Sequence, residues 1–136
     1  MVRKINRDVL SLSQKSNPAT IEDLQTAVDL EDTLRANADR CVGMAANMIG
    51  INKRIIVVSV MGTIITMFNP QIIKRSGEYN TEEGCLSLEG VRSTKRYNNI
   101  TVRYNDKNFK THTDTFSNYI AQIIQHEVDH CDGIVI

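Results

Sequence analysis

The chain has few of the features that are typical of a nucleic-acid-binding, membrane or secreted protein. Its sixteen Lys and Arg residues balance its sixteen Asp and Glu residues, and this lack of net charge argues against a nucleic-acid partner. No apolar run is long enough to span a membrane, and residues 1–4 lack the apolar core of a signal peptide. Three cysteines, an odd number, do not indicate a disulfide framework, so we expect a reducing cytoplasm as the location.

Internal repeats, low-complexity tracts and linkers are also missing from the sequence. A chain of 136 residues lies within the usual size range of one domain and is long enough to bury a hydrophobic core. We therefore expect a single domain over residues 1–136, without contact to a membrane.

The most informative motif is QHEVDH at residues 125–130, which contains the array HExxH. On a helix, His126 and His130 are four positions apart and project from one face, so both imidazoles can bind one metal ion. Glu127 lies beside them and can take a proton from a water molecule whose pKa the metal lowers to about 7. The alternative is an exposed helix with two histidines by chance. The motif favours a hydrolytic metal site.

Such a site needs a third protein ligand. The residues that follow His130 lie too close along the chain, so the ligand must come from upstream. The candidates include several carboxylates as well as His112, Cys41 and Cys85. Cys85 stands out because glycines flank it in a non-helical stretch, EGCLSLEG at residues 83–90, where the backbone can approach a metal closely. A thiolate with two imidazoles suits Fe(II), Zn(II), Co(II) or Ni(II).

Hydrophobic patterning predicts a helix, then antiparallel strands, then the helix that carries the HExxH array. The predicted ranges are a helix over 20–40, strands over 54–60, 63–68 and 99–104, and a last helix that starts at Thr115 or Ser117 and ends at Gly133. Met61 and Gly62 are the expected hairpin turn. On the first helix, we expect a buried face of Ile21, Leu24, Val28, Leu34 and Ala38. The expected fold class is α+β, with small, mostly antiparallel sheets packed around a central metal-binding helix.

Three segments, in this order, resemble the signature motifs of the peptide deformylase family: GMAA at residues 43–46, EGCLS at 83–87 and QHEVDH at 125–130. The resemblance covers about residues 20–136. It implies a bacterial hydrolase that removes the N-formyl group from the formyl-methionine of nascent polypeptides in the cytoplasm, including at the ribosome. It also implies one divalent metal ion, Fe(II) in the native state, with Zn(II), Ni(II) or Co(II) as substitutes in purified protein.

The resemblance implies a role for each matching residue. The metal ligands would be Cys85, His126 and His130. Glu127 would be the general acid and base, and the backbone N–H of Leu86 would stabilise the oxyanion. The implied substrate-binding residues are Val42 in the pocket for the methionine side chain, Gly43 and Gly84 through their backbones, Met48 at the position of the oxyanion donor, and Arg96 at the peptide backbone. For Arg96, a solvated pair with Lys95 is the alternative.

Helix geometry adds two residues to the expected pocket. At about 100° per residue, Tyr119 and Ile123 fall within the arc of His126 and its helical neighbours. We expect both side chains to line the approach to the metal, with core packing as the alternative. Ile120 and Ile124 point elsewhere on the helix and are expected to pack in the core.

The first motif departs from the family pattern GxGxAAxQ at two positions. Cys41 replaces the first glycine, and Met48 replaces the glutamine whose side-chain N–H would stabilise the oxyanion. The sequence therefore leaves three possible functions: a peptide deformylase with an altered oxyanion site, a deformylase-like metalloamidase that is weakly active or acts on another small amide, or a non-catalytic relative that binds formylated peptide. The intact Glu127 favours catalysis, because a binding module would not need it.

Overall fold

The computed structural model describes residues 1–135 and contains one antiparallel five-stranded sheet, whose strands follow chain order. The strands are β1 (Gly43–Ala45), β2 (Ile55–Val60), β3 (Thr63–Cys85), β4 (Leu88–Asn105) and β5 (Thr111–Ser117). The helices are α1 (Val9–Leu12), α2 (Leu24–Ala36) and α3 (Asn118–Cys131), with short 3₁₀ helices at Ile21–Asp23 and Ala46–Ile49. The predicted α+β class is confirmed. None of the helices in residues 1–135 is long and apolar enough to cross a membrane.

The β2–β3 hairpin forms where the sequence predicts it. Met61 and Gly62 both have positive φ, 50° and 84°, which is the geometry of a two-residue type I′ turn. Strand β3 is much longer than the predicted range 63–68. It continues past an irregularity in its pairing with β4, next to Asn69 and Pro70, as a largely polar stretch that ends at Cys85. Hydrophobic periodicity does not mark this extension, because most of its side chains are not buried.

The first helix is shorter than predicted, and its buried face is different. Thr20 caps a 3₁₀ turn with Asp23, as the capping pattern indicates, and α2 then runs only from Leu24 to Ala36. Of the predicted face, Leu34 is buried and Leu24 is half-buried, whereas Ile21, Val28 and Ala38 are exposed. The buried face consists of Ala27, Leu30 and Leu34, three or four positions apart, and Val28 is turned away from it by about 100°.

Alternating residues of β2 face two apolar clusters. Ile56 and Val58 of β2 pack with α3, whereas Ile55 and Val57 pack with α2 and the 3₁₀ helix Ala46–Ile49. All four side chains are fully buried. The two faces of β2 therefore pack against different elements: α3 lies on one face, and α2 with the 3₁₀ helix Ala46–Ile49 lies on the other.

The ends of α3 differ in part from the prediction. Ser117 occupies the N-cap position, but its hydroxyl donates to Asn99 Oδ1 at 2.8 Å and does not cap the helix, while Thr115 lies within β5. Gly133, with φ +74°, follows the C-terminal end as predicted. A Cβ atom there would lie 2.5 Å from the carbonyl oxygen of Ser13, so glycine also allows the close approach of the N-terminal segment.

Candidate active site

A cleft of about 350 Å³ opens where β1, the end of β3 and α3 meet. Its walls include most of the residues that the sequence indicates: Val42, Gly43, Met48, Gly84, Cys85, Leu86, Tyr119, Ile123, His126 and Glu127. His130 lies behind this wall and is fully buried. His112 does not line the cleft. It lies beside the β4–β5 turn, where its Nε2 pairs with Asp106 at 2.7 Å.

Cys85, His126 and His130 form the group that could hold a metal ion. One ligand atom from each lies within 4.8 Å of the other two, and Cys85 Sγ lies 3.2 Å from His130 Nε2. Metal–ligand bonds of about 2.0–2.3 Å at tetrahedral angles would place neighbouring ligand atoms about 3.5 Å apart. A thiolate and two imidazoles at this spacing fit a borderline divalent cation such as Fe(II) or Zn(II).

The orientation of His126 depends on Glu83. His126 Nδ1 donates to Glu83 Oε1 at 2.8 Å, which leaves Nε2 free to face the other ligands. Burial lowers the pKa of His126, but its hydrogen bonds with Cys85 and Glu83 outweigh this effect and raise the pKa to about 10.

Arg96 is buried and bonded to acidic side chains, which contradicts both sequence-based interpretations. Its guanidinium donates to both oxygens of Glu83, at 2.7 and 3.0 Å, and to Asp129 Oδ2 at 2.7 Å. It lies outside the walls of the cleft and is only 4% exposed, so it is neither a solvated partner of Lys95 nor positioned to hold a peptide. Arg96 instead fixes the carboxylate that orients His126.

The charge of Glu83 is maintained by its donors. Burial raises the pKa of this carboxyl, but hydrogen bonds from His126, Arg96 and Gln122 lower it to about 2. Gln122 Nε2 donates to Glu83 Oε2 at 2.9 Å. Sequence reasoning did not identify Glu83, Gln122 or Asp129 as part of the site. The available signal was the position of the two acidic residues inside the second and third motifs.

Glu127 is buried beside the proposed metal ligands. Its side chain is 4% exposed, and its Oε1 has no hydrogen-bond partner within residues 1–135. Burial raises the pKa of Glu127, the charge of His126 opposes this in part, and the result is about 7. A carboxyl group with such a pKa can both accept and return a proton near neutral pH.

The absence of a side chain at Gly43 allows Glu127 and the cleft wall to approach β1. A Cβ atom at Gly43 would lie 2.6 Å from Ile123 Cγ2 and 3.0 Å from Glu127 Oε2. Ile123 is buried in this wall, whereas Tyr119, at 63% exposed, lies at the rim. Ile124 is fully buried in the core, and Ile120 packs against the same cluster.

Met48 lies in the wall of the cleft, but its side chain has no N–H group to donate to a substrate. Met48 is buried, and its Sδ accepts a hydrogen bond from the backbone N–H of Ala45 at 3.4 Å. The neighbouring Asn47 is turned away, because its Nδ2 donates to the carbonyl oxygen of His130 at 2.8 Å. The contact between Asn47 and His130 was not foreseen from the sequence.

Comparisons with known proteins agree with this site. The family model for polypeptide deformylase matches residues 2–136. The chain is 53% identical over 136 residues to a peptide deformylase of Clostridium beijerinckii, and the match covers all of both chains. It is 36% identical over 128 residues to peptide deformylase 2 of Clostridium acetobutylicum, covering 91% of this chain and 85% of that one.

Solved structures are similar over nearly the whole chain. The peptide deformylase from Thermotoga maritima has a TM-score of 0.90 at 28% identity, covering 99% of this chain and 95% of that one. The one from Legionella pneumophila has a TM-score of 0.87 at 35% identity, covering 98% and 82%. The chain therefore belongs to the peptide deformylase family, and it is a metal-dependent amide hydrolase that removes N-formyl groups from nascent peptides.

Proposed function

We propose that Cys85, His126 and His130 hold one divalent metal ion, and that Glu127 is the general base and acid of the deformylation reaction. The observation that carries this proposal is the convergence of three ligand atoms within 4.8 Å of one another beside a buried carboxyl group. When bound, the ion would supply Lewis-acid activation of water and of the formyl carbonyl. The donor set suits Fe(II), which we propose as the native ion, and also Zn(II), Co(II) or Ni(II).

Glu127 is proposed to move the proton during formyl hydrolysis. As a carboxylate, it takes a proton from the water molecule whose oxygen attacks the formyl carbon. It then gives the proton to the amide nitrogen as the C–N bond breaks, so the products are formate and a peptide with a free amino group. A pKa of about 7 supports both steps at neutral pH.

The oxyanion that develops on the formyl oxygen has fewer donors here than the family pattern provides. We propose the backbone N–H of Leu86 as the donor from this chain, because Met48 has no N–H group in its side chain. Loss of one such donor typically costs about 2.7–4 kcal/mol of transition-state stabilisation. Met48 therefore supports a second candidate, a deformylase-like enzyme that is weakly active or acts on another small amide.

The peptide is proposed to bind along β1. Within the described residues 1–135 this strand pairs with β2 alone, so its other edge can accept an extended peptide as an additional strand. Gly43 and Gly84 would offer backbone hydrogen bonds on the two sides of the peptide. Val42 and Ile123 would contact the first side chain, and Tyr119 would narrow the rim.

The natural substrates are proposed to be formylated nascent chains in the bacterial cytoplasm, met at the ribosome. One domain over residues 1–136 is proposed to carry this activity. No direct contact with nucleic acid or membrane is part of the proposal.

The proposal is tested with anaerobically prepared Fe(II) protein and formyl-Met-Ala-Ser, with release of formate as the measurement. We expect turnover that requires the metal and is abolished in Cys85→Ser, which should bind the ion much more weakly. The same assay with formyl-Ala-Ser would reveal a preference for another substrate. A metal-loaded protein that releases no more formate than its Glu127→Gln variant, on either peptide, would contradict the proposed roles.

A further inference from the structure

The two proposed histidine ligands have different surroundings. His126 Nδ1 is bonded to the carboxylate of Glu83. His130 is fully buried, and its Nδ1 has no hydrogen-bond partner within residues 1–135. Its Nε2 faces Cys85, so a neutral His130 that ligates through Nε2 carries its proton on Nδ1. A buried N–H group without an acceptor is destabilising, so an acceptor is to be expected nearby.

An acceptor without a donor lies on a residue that already contacts His130. Asn47 is fully buried, its Nδ2 donates to the carbonyl oxygen of His130 at 2.8 Å, and its Oδ1 has no partner in the described chain. The amide cannot be reversed without loss of this bond, because a carbonyl oxygen only accepts. His130 Nδ1 is therefore a donor without an acceptor, and Asn47 Oδ1 is an acceptor without a donor. The two residues are already joined by the hydrogen bond from Asn47 Nδ2 to the carbonyl oxygen of His130.

We propose that Asn47 is the positioning residue for His130: its Nδ2 holds the carbonyl oxygen, and its Oδ1 accepts the Nδ1 proton of the imidazole through one ordered water molecule. Asn47 would then fix the tautomer and the ring orientation of His130, as Glu83 does for His126. The inference rests on the proposed function, because it requires His130 to be a metal ligand.

The backbone that carries Asn47 is itself held in place from outside the site. Asn6 donates from its backbone N–H to the carbonyl oxygen of Met48 at 2.7 Å, and from its Nδ2 to that of Asn47 at 3.0 Å. These two bonds anchor the 3₁₀ helix Ala46–Ile49 to the N-terminal segment. Asn47 is therefore presented to α3 by a fixed backbone, which a positioning role requires.

The decisive comparison is between Asn47→Leu and the matched control Asn37→Leu. Asn37 is also a buried asparagine whose Nδ2 donates to a backbone carbonyl, that of Thr33, at 2.8 Å, but its Oδ1 already accepts from Arg40 at 3.1 Å, and its partners are not proposed metal ligands. Three quantities are measured for each variant: Zn(II) affinity by competition with a chelator, the absorption spectrum of the Co(II)-loaded protein, and the Tm of the metal-free protein.

We expect both variants to lose thermal stability, but only Asn47→Leu to lose metal affinity, by about ten- to a hundredfold, with altered Co(II) absorption bands. Asn47→Asp retains an acceptor and loses the donor, so it should recover much of the affinity while its Tm stays low. Asn47→Ala removes the same polar atoms as Asn47→Leu and carries the same expectation if the larger side chain prevents folding.

Equal metal affinity and an unchanged Co(II) spectrum in Asn47→Leu and Asn37→Leu would overturn this inference alone. Weaker binding in Asn47→Asp than in Asn47→Leu would also overturn it, because a retained acceptor would then bring no gain. If the wild-type chain binds Zn(II) no more tightly than the Cys85→Ser variant does, the proposed metal site is wrong, and this inference fails with it.

Discussion

The cleft has a helix side, formed by α3 and the end of β3, and a strand side, formed by β1 and the 3₁₀ helix Ala46–Ile49. On the helix side, each important contact involves a charged group: Glu83 is hydrogen-bonded to His126, Arg96 and Gln122, and Arg96 also to Asp129. The strand side has neutral contacts, such as the Met48 thioether with a backbone N–H and the Cys41 thiol with the carbonyl oxygen of Gly43.

This difference has a physical consequence for the effects of substitutions. A buried charge depends on every partner, because removal of one leaves the other uncompensated in a medium of low polarity. The neutral contacts of the strand side set shape and supply dipoles, so a change there can alter the rate and leave the fold intact. The departures from the family pattern at Cys41 and Met48 both lie on the strand side.

The largest expected effect is that of Glu127→Gln on the helix side. The amide is nearly the same size as the carboxyl group and cannot accept the proton, so kcat should fall by about a hundred- to ten-thousandfold. Metal content should remain one ion per chain, as measured by elemental analysis after gel filtration. A variant that loses the ion would instead assign Glu127 to ligation.

Arg96→Met tests whether the helix side depends on its buried charges. Removal of one partner from a buried ion pair costs about 3–5 kcal/mol, so we expect a loss of this size in the free energy of unfolding at pH 7. Metal-free protein is used throughout, so that dissociation of the ion does not contribute. Lys95→Met, which removes an exposed partner of Glu78, is the matched control and should change the stability by less than about 1 kcal/mol.

The same variant has a predicted pH signature. In the wild type, the pKa of Glu83 is lowered to about 2 from 4.5, so its contribution to stability is complete above about pH 4.5 and is lost as the pH falls toward 2. Without Arg96, the pKa of Glu83 should rise, and the slope of stability against pH in this window should decrease. An unchanged slope in Arg96→Met would show that other donors alone hold the carboxylate.

Most residues of the helix side could be predicted from the sequence, because the patterns that mark them are short and local. The spacing of His126 and His130 requires only helical periodicity, and glycine next to Cys85 marks an open backbone. The role of Arg96 was not accessible, since its partners Glu83 and Asp129 are 13 and 33 positions away in the chain. Only the fold brings these charges together.

Other misjudged features have the same kind of cause. The extension of β3 to Cys85 carries mostly polar side chains, so its pairing with β4 leaves no hydrophobic pattern to read. Val28 was placed in the core because it is apolar and helical, but the packing partners of α2 select the face of Ala27 and Leu30. The contact of Asn47 with His130 spans 83 positions and joins a side chain to a backbone, which no residue pattern encodes.

On the strand side, Met48→Gln should raise activity. If Met48 removes an oxyanion donor, restoration of the amide should raise kcat by about ten- to a thousandfold with little change in KM. An interaction made chiefly in the transition state affects the rate of the chemical step more than ground-state binding. The measurement is steady-state hydrolysis of formyl-Met-Ala-Ser by protein with equal metal content.

Asn47→Ala distinguishes this account from a shifted donor. If Asn47 supplied the oxyanion donor, its alanine variant would lose kcat at full metal occupancy, and Met48→Gln would change little. We expect instead that Asn47→Ala keeps its kcat at full metal occupancy and that Met48→Gln raises kcat, because Asn47 Nδ2 is already hydrogen-bonded to the carbonyl oxygen of His130. Lower kcat in Asn47→Ala should therefore follow metal loss and recover when the ion is added in excess.

The smallest effect is expected at Gly43, where the two sides meet. In Gly43→Ala, the new methyl group would lie 2.6 Å from Ile123 Cγ2 and 3.0 Å from Glu127 Oε2, so α3 or β1 must shift. Overpacking of this kind costs about 1–3 kcal/mol, which a denaturant titration can measure. Gly84→Ala is the matched control for stability, because its nearest contact, the carbonyl oxygen of Gly90, lies at an ordinary 3.5 Å.

The cause of the Gly43→Ala effect can be isolated with a double-mutant cycle. Ile123→Ala removes the Cγ2 atom that the new methyl group meets, so Gly43→Ala should cost less in the Ile123→Ala background than in the wild type. Additive losses would mean that the clash is relieved elsewhere, through movement of Glu127. In that case the loss of stability should be the same in both backgrounds and kcat should fall, since an error of about 1 Å in the position of a catalytic group can cost about a hundredfold in rate. The cycle therefore tests whether the strand side determines where the Glu127 carboxyl group lies.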